Sequence, residues 1–261
     1  MTQVRAIASK DNPLLVRLRK LAADPAGYRK LGEVWLEGDH LCSAFLQRGG
    51  VAALAVVTEA GWQTPALRQL AGQATRVTVV PATLMAGLSS LESPPPLGFV
   101  VPWSGSASVQ PHAPSVVLDR LQDAGNVGTI LRSAAAFGFT QVLAIKGTAA
   151  LWSPKVLRAG MGAHFGLNLI EGVDSDALAA LDVPVFATSS HAARNLDASP
   201  LPWPCAFAFG NEGQGLSREL LARCEAELRI AQPGGDESLN VAAAAAVCLY
   251  ESARQRVAAK R

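Results

Sequence analysis

A chain of 261 residues, 49% hydrophobic and 17% charged, is long enough for two packed cores and too apolar for general disorder. Its net charge of +2 is unevenly placed: residues 1–30 hold seven lysines and arginines against two aspartates, a balance of +5, while the other 231 residues hold 16 basic and 19 acidic groups, a balance of −3. The longest apolar stretch, around Val241–Tyr250, is too short to cross a bilayer and the N-terminus has no apolar signal-like segment, so a soluble cytoplasmic protein is expected. Cys42, Cys205, Cys224 and Cys248 lie far apart, with no paired spacing and no histidine at ligand distance; they read as buried free thiols, and no metal site is expected.

In chain order, Asn12-Pro13 opens a helix over Leu14–Ala22 that carries Arg17, Arg19 and Lys20. A basic helix on a nearly neutral protein fits contact with a phosphate backbone, and the same residues equally fit a solvated helix face. Strands at Val34–Glu37, Ala53–Thr58 and Arg76–Val80, with helices at His40–Arg48, Pro65–Ala71 and Ala82–Leu88, make residues 1–101 a small α/β domain. Pro102–Pro114, with three prolines, serines and no apolar periodicity, reads as a linker. Residues 115–261 then alternate strand and helix: Ser115–Asp119, a helix Thr129–Phe137 closed by Gly138, Gln141–Ile145, Ser153–Gly162, Pro184–Ser189, Ala206–Phe209, Leu216–Arg223, Glu227–Ile230, and a last helix from Val241 to about Gln255. Continuous runs of Val, Ala and Phe separated by helices imply an α/β fold with a parallel sheet covered on both faces.

Three junctions after strands carry nearly all the polar chemistry of this half: Leu118–Arg132, Phe207–Ser217 and Ile230–Asn240. Glycines at 210, 213 and 215 let a ligand approach main chain closely and leave Asn211 and Glu212 as the specific side chains. In an open parallel sheet ligands sit outside the carboxyl ends of the strands, so the three loops are expected to form one site. Neither the G-x-G-x-x-G dinucleotide fingerprint nor a P-loop occurs, which argues against hydride transfer and nucleotide hydrolysis. The histidines have no spacing that recommends them for chemistry.

Asn126 with Arg132, Asn211-Glu212-Gly213, and Ser238-Leu239-Asn240, in this order, resemble the three signature motifs of the SpoU–TrmH branch of the SPOUT RNA 2′-O-ribose methyltransferases. The resemblance spans roughly residues 115–256 and includes Ser153–Ala163; upstream, Ala8–Pro13, Leu18–Lys20 and Trp35–Gly38 are similar to the ribosomal-protein-like α/β domain that many members carry for substrate binding. It implies a trefoil-knotted α/β domain that binds S-adenosylmethionine, RNA (ribosomal or transfer) as substrate, and a homodimer through the C-terminal domain. It implies Arg132, Asn126, Glu212, Ser238 and Asn240 as catalytic residues, and Thr188, Phe209, Gly210, Asn211, Gly213, Ile230 and Leu239 around the cofactor. Arg17, Arg19 and Lys20 become candidates for RNA contact. Asn126 also fits a turn, Glu212 a helix N-terminus and Asn240 an N-cap for the last helix. Two alternatives remain open at this level: a SPOUT enzyme methylating a base nitrogen, and a non-catalytic RNA-binding or ribosome-assembly protein of the same fold.

Overall fold

In the computed structural model, which describes residues 3–234 and 238–259, the chain forms two compact units: residues 1–105 with 152–165, and residues 106–151 with 166–261. The first unit runs β1 (Gln3–Ala6), α1 (Pro13–Ala23), α2 (Gly27–Leu31), β2 (Glu33–Glu37), α3 (Asp39–Gln47), β3 (Leu54–Thr58), α4 (Glu59–Gln63), α5 (Pro65–Ala71), β4 (Arg76–Val80), α6 (Ala82–Ala86) and β5 (Leu97–Pro102). Its five strands lie in the order β1-β4-β3-β5-β2, with β1, β4 and β3 parallel and β5 antiparallel to both β3 and β2. Leu14, Leu15, Leu18 and Leu21 form the buried stripe of α1, and Asn12 caps it by accepting from the Leu14 amide at 3.0 Å.

The second unit contains β6 (Ser115–Asp119), α7 (Ala124–Phe137) and β7 (Gln141–Ile145); the chain then contributes α8 (Pro154–Gly160) to the first unit before returning. Next come β8 (Asn168–Val173), β9 (Val185–Thr188), β10 (Arg194–Asn195), β11 (Ala206–Gly210), α9 (Arg218–Leu221), β12 (Ala226–Arg229) and α10 (Val241–Ala258). All seven strands pair in parallel, in the order β10-β12-β9-β11-β6-β7-β8. The central strands β6, β7, β9 and β11 are buried on both faces, as a parallel sheet between helices requires: Val117, Leu143, Ala206 and Ala208 join Ile170, Leu178 and Leu220 in one core cluster. Phe207, whose neighbours on β11 belong to that cluster, meets Phe139 and Phe186 edge-on or tilted and stacks with Phe209. Helix α10 packs against α7 and β11 and buries Ala242 and Ala245 of its alanine run.

Two boundaries differ from those expected. Residues 106–114 are no free linker: Ala107 donates its amide to the Leu169 carbonyl at 3.1 Å, Gln110 donates to Gln141 Oε1 at 2.7 Å, and Asn168 Nδ2 donates to the Ser108 carbonyl at 2.8 Å. Proline content signals loss of ladder bonds along the segment's own backbone, and polar side chains of β7 and β8 supply the partners instead. The segment 152–165, assigned by strand–helix alternation to the second domain, packs in the first unit, where Arg158 meets the buried Glu37 at 3.2 Å and Phe45 meets Phe165 edge-on. Alternation along a chain records local periodicity and carries no information about which core receives a helix. Among the described residues no helix is long and apolar enough to cross a membrane.

Candidate active site

At the carboxyl ends of β9, β11 and β12 opens a cleft of about 840 Å³, closed on one side by the first turns of α10. Thr188, Phe209, Gly210, Asn211, Gly213, Ile230 and Leu239 all line it, as do Glu212, Ser238 and Asn240. Its size is that of a small-molecule site, and Leu216, Leu228, Val241 and Ala244 add apolar wall.

The loop after β11 is a tightly closed turn. Asn211 and Gly215 exchange main-chain hydrogen bonds at 3.1 and 2.8 Å, and Asn211 Oδ1 accepts from the amides of Gly213 (3.0 Å) and Gln214 (3.1 Å). The glycine pattern predicts main-chain donors pointing into open space; four of them are instead satisfied inside the loop, because an Asx-type turn captures them first. Asn211 lines the cleft while its amide side chain is committed to the loop and, through Nδ2, to the Arg120 carbonyl at 3.1 Å. Gly210 is required by space: a Cβ there would stand 2.2 Å from the Gly215 carbonyl carbon and 2.3 Å from the Leu216 nitrogen. Gly215 is required by conformation, with φ of +67°.

A chain of side-chain hydrogen bonds crosses the rim and brings the three sequence motifs together. Asn240 Nδ2 donates to Asn126 Oδ1 at 3.1 Å, and Asn126 Nδ2 donates to Glu212 Oε1 at 3.0 Å. Asn240 also caps α10, its Oδ1 accepting from the amides of Ala242 (2.9 Å) and Ala243 (3.3 Å), so one residue serves both purposes. The alternative for Glu212, a contact with the following helix, is not what forms: α9 starts only at Arg218, and the Ser217 amide donates to Asp119 Oδ2 at 2.7 Å.

Asn126 and Arg132 sit differently from expectation. The run Ala-Gly-Asn-Val-Gly predicts a loop with a helix beginning near Thr129, whereas α7 starts at Ala124 with Asp123 as its N-cap, its Oδ1 accepting from the Asn126 amide at 2.7 Å. The apolar set Val127, Ile130, Leu131 and Ala134 has helical spacing that outweighs the two glycines. Arg132 is therefore two turns into the helix rather than one. Six residues separate it from Asn126, about 9 Å along the axis and roughly 240° around it, so the two do not share a face of the helix. Arg132 is exposed, makes no hydrogen bond or ion pair among the described residues, and is not part of the cleft lining. Ser238 is exposed at the rim, and residues 235–237 of the third loop lie outside the described residues.

Several participants escaped the sequence. Asp119 and Arg120, at the end of β6, brace the loop after β11 from behind; His191 and Cys248 line the cleft itself. A carboxylate closing an otherwise apolar strand, Ser-Val-Val-Leu-Asp, was the available signal for Asp119. Cys42, Cys205 and Cys248 are buried and Cys224 half-buried, all as free thiols. Desolvation pushes Cys248 up to about 12, and Cys205 and Cys224 to about 11, so the thiol in the cleft wall is neutral at physiological pH.

In the first unit the basic helix is less free than its charge suggests. Arg17 is ion-paired to Glu33 at 3.2 Å and Arg19 donates to the Lys10 carbonyl, leaving Lys20 as the exposed cation of the three. Sequence shows the charge on α1 and conceals the partners that β2 and the preceding loop bring to it.

Fold and site together define an α/β protein with a cofactor-sized cleft at the ends of parallel strands and a polar rim assembled from three separate loops. The SpoU rRNA methylase family model matches residues 113–250. Over 274 residues the chain is 34% identical to an uncharacterized tRNA/rRNA methyltransferase of Synechocystis sp., covering 99% of this chain and 97% of that protein. It is 38% identical over 145 residues to the 23S rRNA guanosine 2′-O-methyltransferase RlmB of Xylella fastidiosa, 54% of this chain and 58% of that one. An AdoMet-bound rRNA methyltransferase from Sinorhizobium meliloti superposes with a TM-score of 0.85 at 26% identity, over 97% of this chain and 98% of that one. The chain belongs to the SpoU rRNA methylase family.

Proposed function

We infer that this protein is an S-adenosylmethionine-dependent RNA methyltransferase that modifies a ribose 2′-hydroxyl, the activity carried by its SpoU family membership. The observation that carries the reading at the residue level is the hydrogen-bonded chain Asn240–Asn126–Glu212 on the rim of the cleft, which joins three motifs far apart in sequence. The cleft fits the cofactor chemically: apolar walls for an adenine at Phe209, Leu228, Ile230 and Leu239, and polar groups at its mouth from Thr188, Glu212, Ser238 and Asn240. Phe209, Gly210, Ile230 and Leu239 would hold the adenosine, with Thr188, Asn211 and Gly213 completing the pocket.

S-adenosylmethionine supplies the transferable sulfonium methyl. The chain's own residues align the acceptor hydroxyl and assist loss of its proton. Arg132 is a poor proton acceptor, since a guanidinium stays charged in proteins; its fixed positive charge favours the ionised form of a hydroxyl beside it and grips the adjacent phosphate. Asn126, Glu212 and Asn240 keep the rim in one shape, and Ser238 offers a hydroxyl to the ribose. Because the rim is open to water, the released proton has a direct route to solvent.

The first unit serves as the RNA-binding domain, supported by the charge of +5 in residues 1–30 and by exposed Lys20. Ribosomal RNA is the favoured substrate, in keeping with the relatives named above, with transfer RNA the other class. A homodimer through the second unit is supported by the exposed apolar side chains Val247, Tyr250 and Val257 along α10, at 40%, 54% and 51% exposure. The protein works in the cytoplasm. Calorimetric titration with S-adenosylmethionine, followed by mapping of ribose methylation in RNA from a strain lacking the protein, tests the reading. One cofactor site per chain and a missing 2′-O-methyl group are expected. Absence of cofactor binding, or a missing methyl on a base nitrogen, would overturn it.

A further inference from the structure

We propose that Arg120, held by the buried carboxylate of Asp119, is a positioning residue that sets the shape of the cofactor cleft by bracing the 210–217 loop from behind; this rests on the cleft being the cofactor site. Arg120 is one of two non-glycine residues with positive φ among the described residues, at +58°. A bulky side chain in the left-handed region is strained, and glycine would remove the strain at no steric cost. An arginine there must therefore gain through its side chain what its backbone loses.

Its contacts account for that gain. Nε of Arg120 donates to Asp119 Oδ1 at 3.0 Å and Nη2 to Asp119 Oδ2 at 3.4 Å, a two-pronged pairing with a carboxylate only 1% exposed. The remaining prong reaches across, Nη1 donating to Gln214 Oε1 at 3.2 Å. Meanwhile the carbonyl of Arg120 accepts from Asn211 Nδ2, and Asp119 Oδ2 accepts from the Ser217 amide. The pair thus touches the loop at its start, its middle and its end. A second turn anchors the pair in place: the Arg120 amide donates to Thr148 Oγ1 at 3.1 Å, and that hydroxyl donates to the Leu118 carbonyl at 3.0 Å. Asn211 and Gln214 line the cleft, whereas Asp119 and Arg120 do not, so Arg120 acts on the cofactor only through the loop.

The guanidinium fork fits this role and an ammonium does not, because only a planar multi-donor group can pair with a carboxylate and reach a second acceptor in a fixed direction. Arg120→Gly relieves the backbone strain while deleting the brace, and the split between cofactor Kd and RNA KM separates shape-setting from simple stability. The expected result, measured well below both melting temperatures, is a cofactor Kd raised about tenfold, the scale of one lost charge-assisted contact, with the KM for RNA unchanged; the melting temperature itself falls, because Asp119 is left buried without its guanidinium. Arg120→Lys should leave the Kd raised. Gln214→Ala should weaken cofactor binding by itself yet add nothing to Arg120→Gly, since the contact is already gone. An unchanged Kd in Arg120→Gly, or full additivity in the double variant, overturns the proposal. Wild-type protein that binds no cofactor overturns the functional reading beneath it, an outcome visible before any variant is made.

Discussion

The loop after β11 and the rim that faces it are built on opposite plans. From Gly210 to Ser217, amides close on Asn211, the side chain of Asn211 closes on Arg120, and Asp119 takes the amide of Ser217. Ser238 at the rim, and Arg132 outside the cleft lining, are exposed and have no hydrogen-bond partner among the described residues. Groups that must hold a shape have their bonds satisfied within the protein, and groups that must meet a substrate keep theirs available; only the Asn240–Asn126–Glu212 chain belongs to both. Composition would not have separated them, since both regions are polar and glycine-rich or flanked by glycine.

The contrast can be broken most severely at Gly210. Gly210→Ala forces a methyl against main chain at 2.2 Å, with no flexible side chain to yield; overpacking of this kind costs about 3 kcal/mol, and taken wholly in the loop's shape it weakens cofactor binding by roughly a hundredfold. Calorimetry should register that loss, and a Kd within threefold of wild type would show that the loop is not rigid. On the open side, Arg132→Ala should cut kcat about a hundredfold, the scale of lost alignment at a reacting centre, with the cofactor Kd within twofold. Parallel loss of both would place Arg132 in the braced region.

Between the two lies Asn126→Ala, which leaves Glu212 and the Asn240 amide without their shared partner. Glu212 and Asn240 are exposed, so the loss is limited to about tenfold in kcat/KM, and the double variant with Glu212→Gln should be no worse than either single change. Lys20→Ala is smaller again: RNA affinity should lose salt dependence by a slope of about 1, while Arg17→Ala, already paired to Glu33, leaves the slope unchanged. Filter binding across salt concentrations distinguishes them.

The weakest effect concerns pH. Folded Cys248, Cys205 and Cys224 titrate above the ordinary value of 9.0, near 12, 11 and 11, because burial disfavours the thiolate. Their stability contribution is complete below about pH 9 and is lost as pH rises toward 11–12, since the unfolded chain releases those protons first. Melting temperature should be flat in this respect to pH 8.5 and fall beyond it, less steeply in Cys248→Ala. An equal decline in that variant would assign the alkaline loss to other groups.

Periodicity and composition by themselves determined the parallel α/β half, its three polar junctions after strands, the free thiols and the N-capping of the last helix by Asn240, because these depend on residues close together in the chain. Short, evenly polar or unpatterned strands such as β1, with all four residues exposed, and β8 left no such trace. Local propensity misled where tertiary packing overrode it: the glycines around Asn126 suggest a loop, and burial of Val127, Ile130 and Leu131 makes it the first turn of α7. Only the tertiary structure decided that Arg17 is paired, that residues 152–165 join the first unit, that Asn126 lies against Glu212, and that Asp119 and Arg120 stand behind the loop after β11. Each of these is a contact between residues distant in sequence, and their direction is set by which strands become neighbours, which no local pattern encodes.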